Sequence, residues 1–342
     1  MKTDIKSLTL DEIVGLMEQW EQPRFRGAQI YAWIHAGCRS FSEMTNLPAS
    51  LRGRLEEECA LTCPSILRRQ VSQKDGTVKY LWELGDGNTV ESVVMKYRYG
   101  HSICLSTQVG CRMGCRFCAS TLGGLVRCLE PSEMLDQILF AQKDLGIRIS
   151  NVVLMGIGEP LDNFDSVLRF LRLANSPEGL NIGMRHISLS TCGLVEKVDK
   201  LAEYNLQLTL SVSLHAPDDD TRDLIMPVNR KYGVDEVLRA CARYFEKTGR
   251  RISYEYAMIR GVNDTDRHAR MLAEKLKGTG AHVNLIRLNY VEERGLEPST
   301  PRQIERFTRI LTDSGITVTV RRRLGSDIDA SCGQLRRKTE SN

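Results

Sequence analysis

What this 342-residue chain lacks narrows its function before any motif is considered. It has no run of about 18 uncharged apolar residues, the length a membrane-crossing helix needs. Its first residues, MKTDIKSLTLDEI, lack the apolar stretch of a secretory leader. A cytoplasmic location without a membrane partner is therefore the expectation. No internal repeat, low-complexity tract or obvious flexible linker interrupts the sequence. Charge of either sign is not in large excess: a net charge of +4 permits a nucleic-acid partner without announcing one. What is present is 42% hydrophobic residues, enough for a buried core, and 11 cysteines, which without a leader point to metal or catalytic use rather than to a disulfide framework.

Residues 1–65 read as a small helical unit. Thr9 followed by Glu12 makes a capping-box pattern, Ile13, Leu16, Met17 and Trp20 recur at helical spacing, and Pro23 stops the helix. Ile30, Trp33 and Ile34 mark a second helix, and Leu47, Leu51 and Leu55 a third. Arg24, Arg26, Arg39, Arg52 and Arg54 stud this unit, as consistent with solvated helix faces as with a surface toward RNA. Over 66–100 the pattern turns to alternation, and 79–84 and 90–95 around Gly85-Asp86-Gly87-Asn88 predict a β-hairpin. Beyond it, strand-like runs at 101–106, 151–155, 186–190, 208–213, 252–258 and 283–288 are separated by helical patterns such as 133–143, 166–174, 195–204, 234–247 and 266–276. Such alternation means parallel strands with right-handed crossovers. The expected class is α/β: a partial (β/α)6 barrel over 101–320, preceded by the helical unit and the hairpin segment and followed by a C-terminal segment, 321–342. The run 316–320 is a candidate further strand.

Straight after the first barrel strand stands Cys111-Arg112-Met113-Gly114-Cys115-Arg116-Phe117-Cys118. Three thiolates can hold three irons of a cubane and leave the fourth iron open to a substrate. A structural zinc site needs a fourth Cys or His at matching spacing, and Cys104 and Cys128 form no second knuckle. Chance clustering is a poor explanation for three cysteines on a polar, glycine-containing loop. Barrels carry their chemistry at the C-terminal ends of their strands, and here those ends read Gly156-Ile157-Gly158-Glu159-Pro160, Ser190-Thr191-Cys192-Gly193, Ser213-Leu214-His215 and Asn289. Each alone reads as readily as a turn or a helix cap. Their conjunction with the cysteines marks a site.

Cys-x3-Cys-x2-Cys with an aromatic residue before the last cysteine resembles the radical SAM superfamily. Further pieces, in order, resemble the RlmN/Cfr family of RNA adenine methyltransferases: Phe25-Arg26 with Gln29-Ile30-Tyr31, Met44-Thr45-Asn46-Leu47-Pro48, Val90-Glu91-Ser92-Val93, Ser106-Thr107-Gln108-Val109-Gly110-Cys111, Met226-Pro227-Val228-Asn229 and Asp327-Ile328-Asp329-Ala330-Ser331-Cys332-Gly333-Gln334-Leu335. The resemblance implies a 4Fe-4S cluster on Cys111, Cys115 and Cys118 and S-adenosylmethionine (SAM) on its open iron. It places Gly158 and Glu159 at the SAM ammonium group, and Ser190, Ser213, Leu214, His215 and Asn289 around the ribose, carboxylate and adenine. It also implies that Cys332 carries the methyl group, that Cys104 resolves the RNA adduct by forming a disulfide with Cys332, and that Glu91 removes the proton from carbon 2. The implied substrates are an adenine in 23S rRNA and one in tRNA. Two SAM are spent per methylation, with an electron donor such as flavodoxin or ferredoxin, by a monomer.

C8 methylation of the Cfr type is the alternative; Pro160 after Glu159, and Ser190-Thr191-Cys192-Gly193, favour C2. A zinc-stabilised RNA-binding module without catalysis is a third reading. By their own patterns, Cys104 reads as a buried strand cysteine and Glu91 as an outward strand residue, whereas Cys332 lies in a polar, glycine-containing segment suited to a reactive thiol. Arg321-Arg322-Arg323 and Arg336-Arg337-Lys338 surround it with charge that suits a phosphate backbone, although a charge run is more often a solvated face. Cys38, Cys59, Cys63, Cys128, Cys192 and Cys241 read as packing.

Overall fold

The computed structural model describes residues 2–331 and 333–335. The expected capping box is formed: the Thr9 hydroxyl accepts the Glu12 N–H, and the Glu12 carboxylate accepts the Thr9 N–H at 2.8 Å. It opens α1 (Leu10–Gln19), which with α2 (Phe25–His35) and α3 (Ala49–Glu58) buries Ile13, Met17, Ile30, Ile34, Leu51 and Leu55. The unit is pinned to the rest of the protein by an ion pair between Lys6 and Asp136, 2.6 Å long with both side chains fully buried. The Thr62 hydroxyl donates to the same carboxylate at 2.7 Å. Removing either charge would strand the other, a cost of roughly 3–5 kcal/mol.

Ten strands form one sheet whose spatial order equals their chain order. They are β1 (Ser65–Val71), β2 (Val78–Glu83), β3 (Thr89–Tyr97), β4 (Gly100–Cys104), β5 (Ile149–Leu154), β6 (Ile187–Thr191), β7 (Thr209–Ser213), β8 (Ser253–Met258), β9 (His282–Arg287) and β10 (Thr317–Val320). Strands β4 to β10 are parallel, so the six expected barrel strands and the candidate seventh are all present. Their connections carry α4 (Pro131–Leu145), α5 (Phe164–Asn175), α6 (Val195–Glu203), α7 (Asp219–Ile225), α8 (Val234–Thr248), α9 (Asp266–Leu276) and α10 (Pro301–Asp313). Among the described residues no helix is long and apolar enough to cross a membrane.

The expected hairpin is β2–β3, and it is part of a larger antiparallel extension: β1 pairs with β2, and β3 pairs with β4, the first barrel strand. β1 was not resolved from the sequence, because Ser65, Arg68, Arg69 and Gln70 leave it without an apolar face. Side chains alternate across this extension as a pleated strand requires. Tyr80, Trp82, Val90 and Val94 enter the main core. Val93 and Met95 face the other way and gather Cys104, Ile157, Ala330 and Leu335 into a separate apolar cluster, which seats the C-terminal segment on the extension.

Candidate active site

After β4 the chain forms a two-strand ribbon, Gln108–Gly110 against Leu125–Cys128, and the cysteine loop lies between its arms. Gly110 makes the loop possible. Its φ is +77°, and a Cβ there would lie 1.9 Å from the Gly124 carbonyl oxygen, the atom that accepts the Cys111 N–H at 2.9 Å. Gly114, at φ +73°, turns the chain between the first two cysteines. The Cys118 N–H donates to the Cys115 carbonyl at 3.2 Å, and the Thr121 hydroxyl donates to that of Cys118 at 3.0 Å.

All three cysteines line one cavity of ≈950 Å³, counting its open mouth, with Gly158, Glu159, Ser190, Ser213, His215 and Asn289 around it. Burial is the main cause that pushes the Cys111 thiol up to about 12 and raises Cys115 as well, with the charges of neighbouring thiolates acting in the same direction. Three soft thiols that oppose one another's ionisation suit a bound multivalent metal group. Among the described residues no three Cys, His, Asp or Glu side chains are arranged to hold a single ion. The donor set, three thiols spread along one cavity wall, fits an iron–sulfur cluster with one open iron better than a four-ligand zinc site.

The segment after β5 that lines the cavity packs closely on the chain leading to the cysteine loop. A Cβ on Gly156 would sit 2.4 Å from the Leu105 carbonyl oxygen, and one on Gly158 would sit 2.7 Å from the Gln108 Cβ. Glu159 is 4% exposed, and its carboxylate accepts the Leu161 N–H at 3.0 Å and the Cys192 N–H at 2.7 Å. Burial raises its pKa and those two bonds pull it back. His215 adopts φ +58°, and its Nδ1 accepts the Ala257 N–H at 2.9 Å, which puts the ring proton on Nε2. Burial lowers its pKa to about 3, so it is a neutral donor at neutral pH, and the Phe117 ring meets it edge-on at 4.7 Å. Leu214 does not line the cavity: its side chain is in the core, its N–H donates to the Glu255 carbonyl and its own carbonyl accepts from Arg222.

The remaining expected residues lie beside the C-terminal segment. Glu91 faces inward, not outward as its pattern suggested: it is 2% exposed and its carboxylate stands 3.3 Å from the Lys79 Nζ. Lys79 also donates to the Asp329 carbonyl at 3.3 Å. Cys104 is buried against Ala330 and Leu335. Cys332 and the run Arg336-Arg337-Lys338 lie outside the described residues. The residues around Cys332 are tied on two sides. The Ala119 N–H donates to the Gly333 carbonyl at 2.8 Å and the Ser120 hydroxyl to the Leu335 carbonyl at 2.7 Å. At the β1–β2 turn, Asp75 accepts the Gly325 N–H at 2.9 Å, and Asp327 accepts the Ser72 hydroxyl at 2.7 Å and the Gln73 N–H at 3.0 Å.

Three residues escaped the sequence reading. Arg222, fully buried, donates to the carbonyls of Cys192 (2.7 Å), Ser213 (3.2 Å), Leu214 (3.0 Å) and Tyr232 (3.1 Å) and to Asn229 Oδ1 (3.0 Å), tying the ends of β6 and β7 together. Glu255 lines the cavity with burial raising its pKa; a lone acid within the apolar run 252–258 was its signal. Lys79 had no signal at all. Cys192, read as packing, lines the cavity too.

Comparison with known proteins agrees with this geometry. Residues 105–273 match the family model of the radical SAM superfamily, and residues 3–61 match that of the ribosomal RNA large subunit methyltransferase N-terminal domain. The chain is 52% identical over 341 residues to a probable dual-specificity RNA methyltransferase RlmN of Desulforamulus reducens, covering 99% of this chain and 97% of that protein. It is 53% identical over 339 residues to the protein of the same name from Pelotomaculum thermopropionicum, covering 98% and 92%. Among solved structures, a radical SAM methyltransferase from Sphaerobacter thermophilus superposes with a TM-score of 0.93 at 41% identity, covering 97% of this chain and 99% of that one.

Proposed function

The chain belongs to the RlmN family of radical SAM methyltransferases, and from that premise we propose that it methylates carbon 2 of an adenine in 23S rRNA and of an adenine in tRNA. Carbon 2 of adenine is electron-poor and its C–H bond is not acidic, so direct transfer of a methyl cation from SAM is not feasible. A 4Fe-4S cluster on Cys111, Cys115 and Cys118, with SAM on its open iron, supplies a 5′-deoxyadenosyl radical when bound. Glu159 keeps lone pairs for the SAM ammonium group beside its two backbone bonds. Ser190, Ser213, Asn289 and the Nε2–H of neutral His215 offer polar groups to the rest of SAM.

Cys332 takes the methyl group of one SAM as its thiolate. It then loses a hydrogen atom from that S-methyl group to the radical and bonds carbon 2 through the resulting methylene. The adduct would return one electron to an acceptor such as the oxidised iron–sulfur cluster held by Cys111, Cys115 and Cys118, and Glu91 removes the carbon 2 proton. The Cys104 thiolate next attacks the Cys332 sulfur: an S–S bond forms, the S–C bond breaks, and the carbon takes up a proton to become the methyl group. An outside dithiol reduces the disulfide, and a flavodoxin- or ferredoxin-like donor supplies electrons to this cytoplasmic monomer.

The observation that carries this reading is the pair of ties that hold both flanks of Cys332 between the cysteine loop and the strand of Cys104. The test is anaerobic reconstitution with SAM, reductant and an rRNA or tRNA fragment, followed by mass spectrometry of the nucleosides. 2-Methyladenosine with 5′-deoxyadenosine is expected. 8-Methyladenosine would move the chain to Cfr-type chemistry, and stoichiometric zinc without inorganic sulfide would make it a non-catalytic RNA-binding module.

A further inference from the structure

A second cavity, ≈420 Å³ counting its open mouth, adjoins the methyl-carrier segment. Ser331, the residue before Cys332, forms part of its lining, together with Tyr97, Arg287, Arg322 and Arg323. It shares Arg321 and Asn289 with the cofactor cavity, so its occupant lies directly beside the reacting centre. Among the described residues its lining includes four arginines and no carboxylate, and Arg287, Arg322 and Arg323 are solvent-exposed. At the end of β3, Tyr97 stacks on Tyr99 of the following turn with ring centroids 5.0 Å apart and planes 6° from parallel. Tyr99 is 67% exposed, so the stacked pair reaches solvent beside the cavity.

Flat aromatic rings beside a one-sign cluster of guanidinium groups are the chemistry that holds an unstacked base and its phosphates. An adenine turned out of its stack for reaction also leaves its neighbour without a stacking partner. We propose that this pocket takes the nucleotide adjoining the target adenine, its base on the Tyr97–Tyr99 platform and its phosphates on Arg287, Arg322 and Arg323. The platform replaces the stacking that the neighbour loses and so offsets part of the cost of extrusion. This inference rests on the reading of RNA as substrate.

The test measures binding by fluorescence anisotropy. The probes are a fluorescein-labelled RNA hairpin with an unpaired adenine in its loop and two copies of it, one abasic at the nucleotide 5′ of that adenine and one at the nucleotide 3′ of it. Y99A is expected to weaken binding of the intact hairpin on the order of 10- to 100-fold, and Y99F to restore it. Wild type should suffer a similar loss on one abasic hairpin, and Y99A should lose nothing further on that one. R322A and R323A should each lower the slope of log affinity against log salt by about 1, whatever the base. If Y99A binds all three hairpins as wild type does, or loses affinity equally on both abasic forms, the pocket is refuted while RNA binding stands. If wild type binds none of them, the RNA reading falls and this inference with it.

Discussion

The cysteine loop and the segment around Cys332 meet at two hydrogen bonds, Ala119 N–H to the Gly333 carbonyl and the Ser120 hydroxyl to the Leu335 carbonyl, yet they owe their shapes to different sources. The turns of the loop are shaped by its own neighbourhood, since Gly110, Gly114, Thr121 and Gly124 all lie within a few residues of the three thiols, and two ties from farther along the chain, Arg116 N–H to the Ile225 carbonyl at 2.9 Å and Arg294 to the Cys118 carbonyl at 3.2 Å, fix where it sits. The C-terminal segment depends on residues about 250 positions earlier, Ser72, Gln73 and Asp75 in the β1–β2 turn, and on the apolar patch of Val93, Met95 and Cys104. The shape of the first segment is therefore largely local. The other is only as well placed as a distant turn allows.

The largest expected effects separate the two segments outright. Replacing Cys111 or Cys118 by Ala should abolish bound iron and 5′-deoxyadenosine formation together. Cys332→Ala should leave iron content intact and eliminate methylation, and Cys104→Ala should trap a covalent RNA adduct visible on a denaturing gel. Released product at normal yield from the Cys104 variant would remove that residue from the scheme. Next in size is Gly110→Ala, whose new Cβ meets the Gly124 oxygen at 1.9 Å. Loop strain of this kind costs about 1–3 kcal/mol, and iron content per protein should fall with it.

Loosening the far anchor should produce a smaller effect of a different kind. Asp327→Ala removes the acceptor for Ser72 and Gln73. The expected result is a kcat roughly 10-fold lower with iron content and Tm near wild type, since misplacing a reacting group by about 1 Å costs up to 100-fold. An unchanged kcat would mean that the tie to the cysteine loop alone sets the position of the carrier.

The effect farthest from the chemistry lies outside both segments and supplies the baseline for them. Burial lowers the His35 pKa from 6.5 to about 4. The unfolded chain therefore takes up a proton below pH 6.5 that the folded protein refuses. Stability is full above that pH and declines as the pH falls from 6.5 toward 4, by at most about 1.4 kcal/mol per unit. Tm measured from pH 7.5 to 4.5 should fall less steeply for His35→Gln than for wild type.

The cysteine loop was legible because thiols four and three residues apart on a glycine-containing turn have few uses. The parallel strands were legible because apolar strand runs alternating with helical patterns have essentially one packing solution. The rest of the site was opaque for identifiable reasons. Glu91 looked like an outward strand residue, since a period of two does not say which face another segment will cover. Strand β1 carries Arg68, Arg69 and Gln70 and had no apolar stripe to announce it. Arg222 sits in a helix start rich in aspartates, and only the convergence of five acceptors upon it explains a buried guanidinium. Leu214 stood in the right motif but turned its side chain into the core.

The sequence by itself determined the three-cysteine loop, the polar rim of strand ends and the α/β order of elements, because each depends on spacing within a few residues. The tertiary structure alone decided which face of the hairpin is covered, burying Glu91 against Lys79, that Cys104 packs beside the C-terminal segment and that Asp75 and Asp327 anchor that segment, because the covering of a sheet face and pairings across more than 200 residues depend on how the sheet folds and leave no periodicity to read.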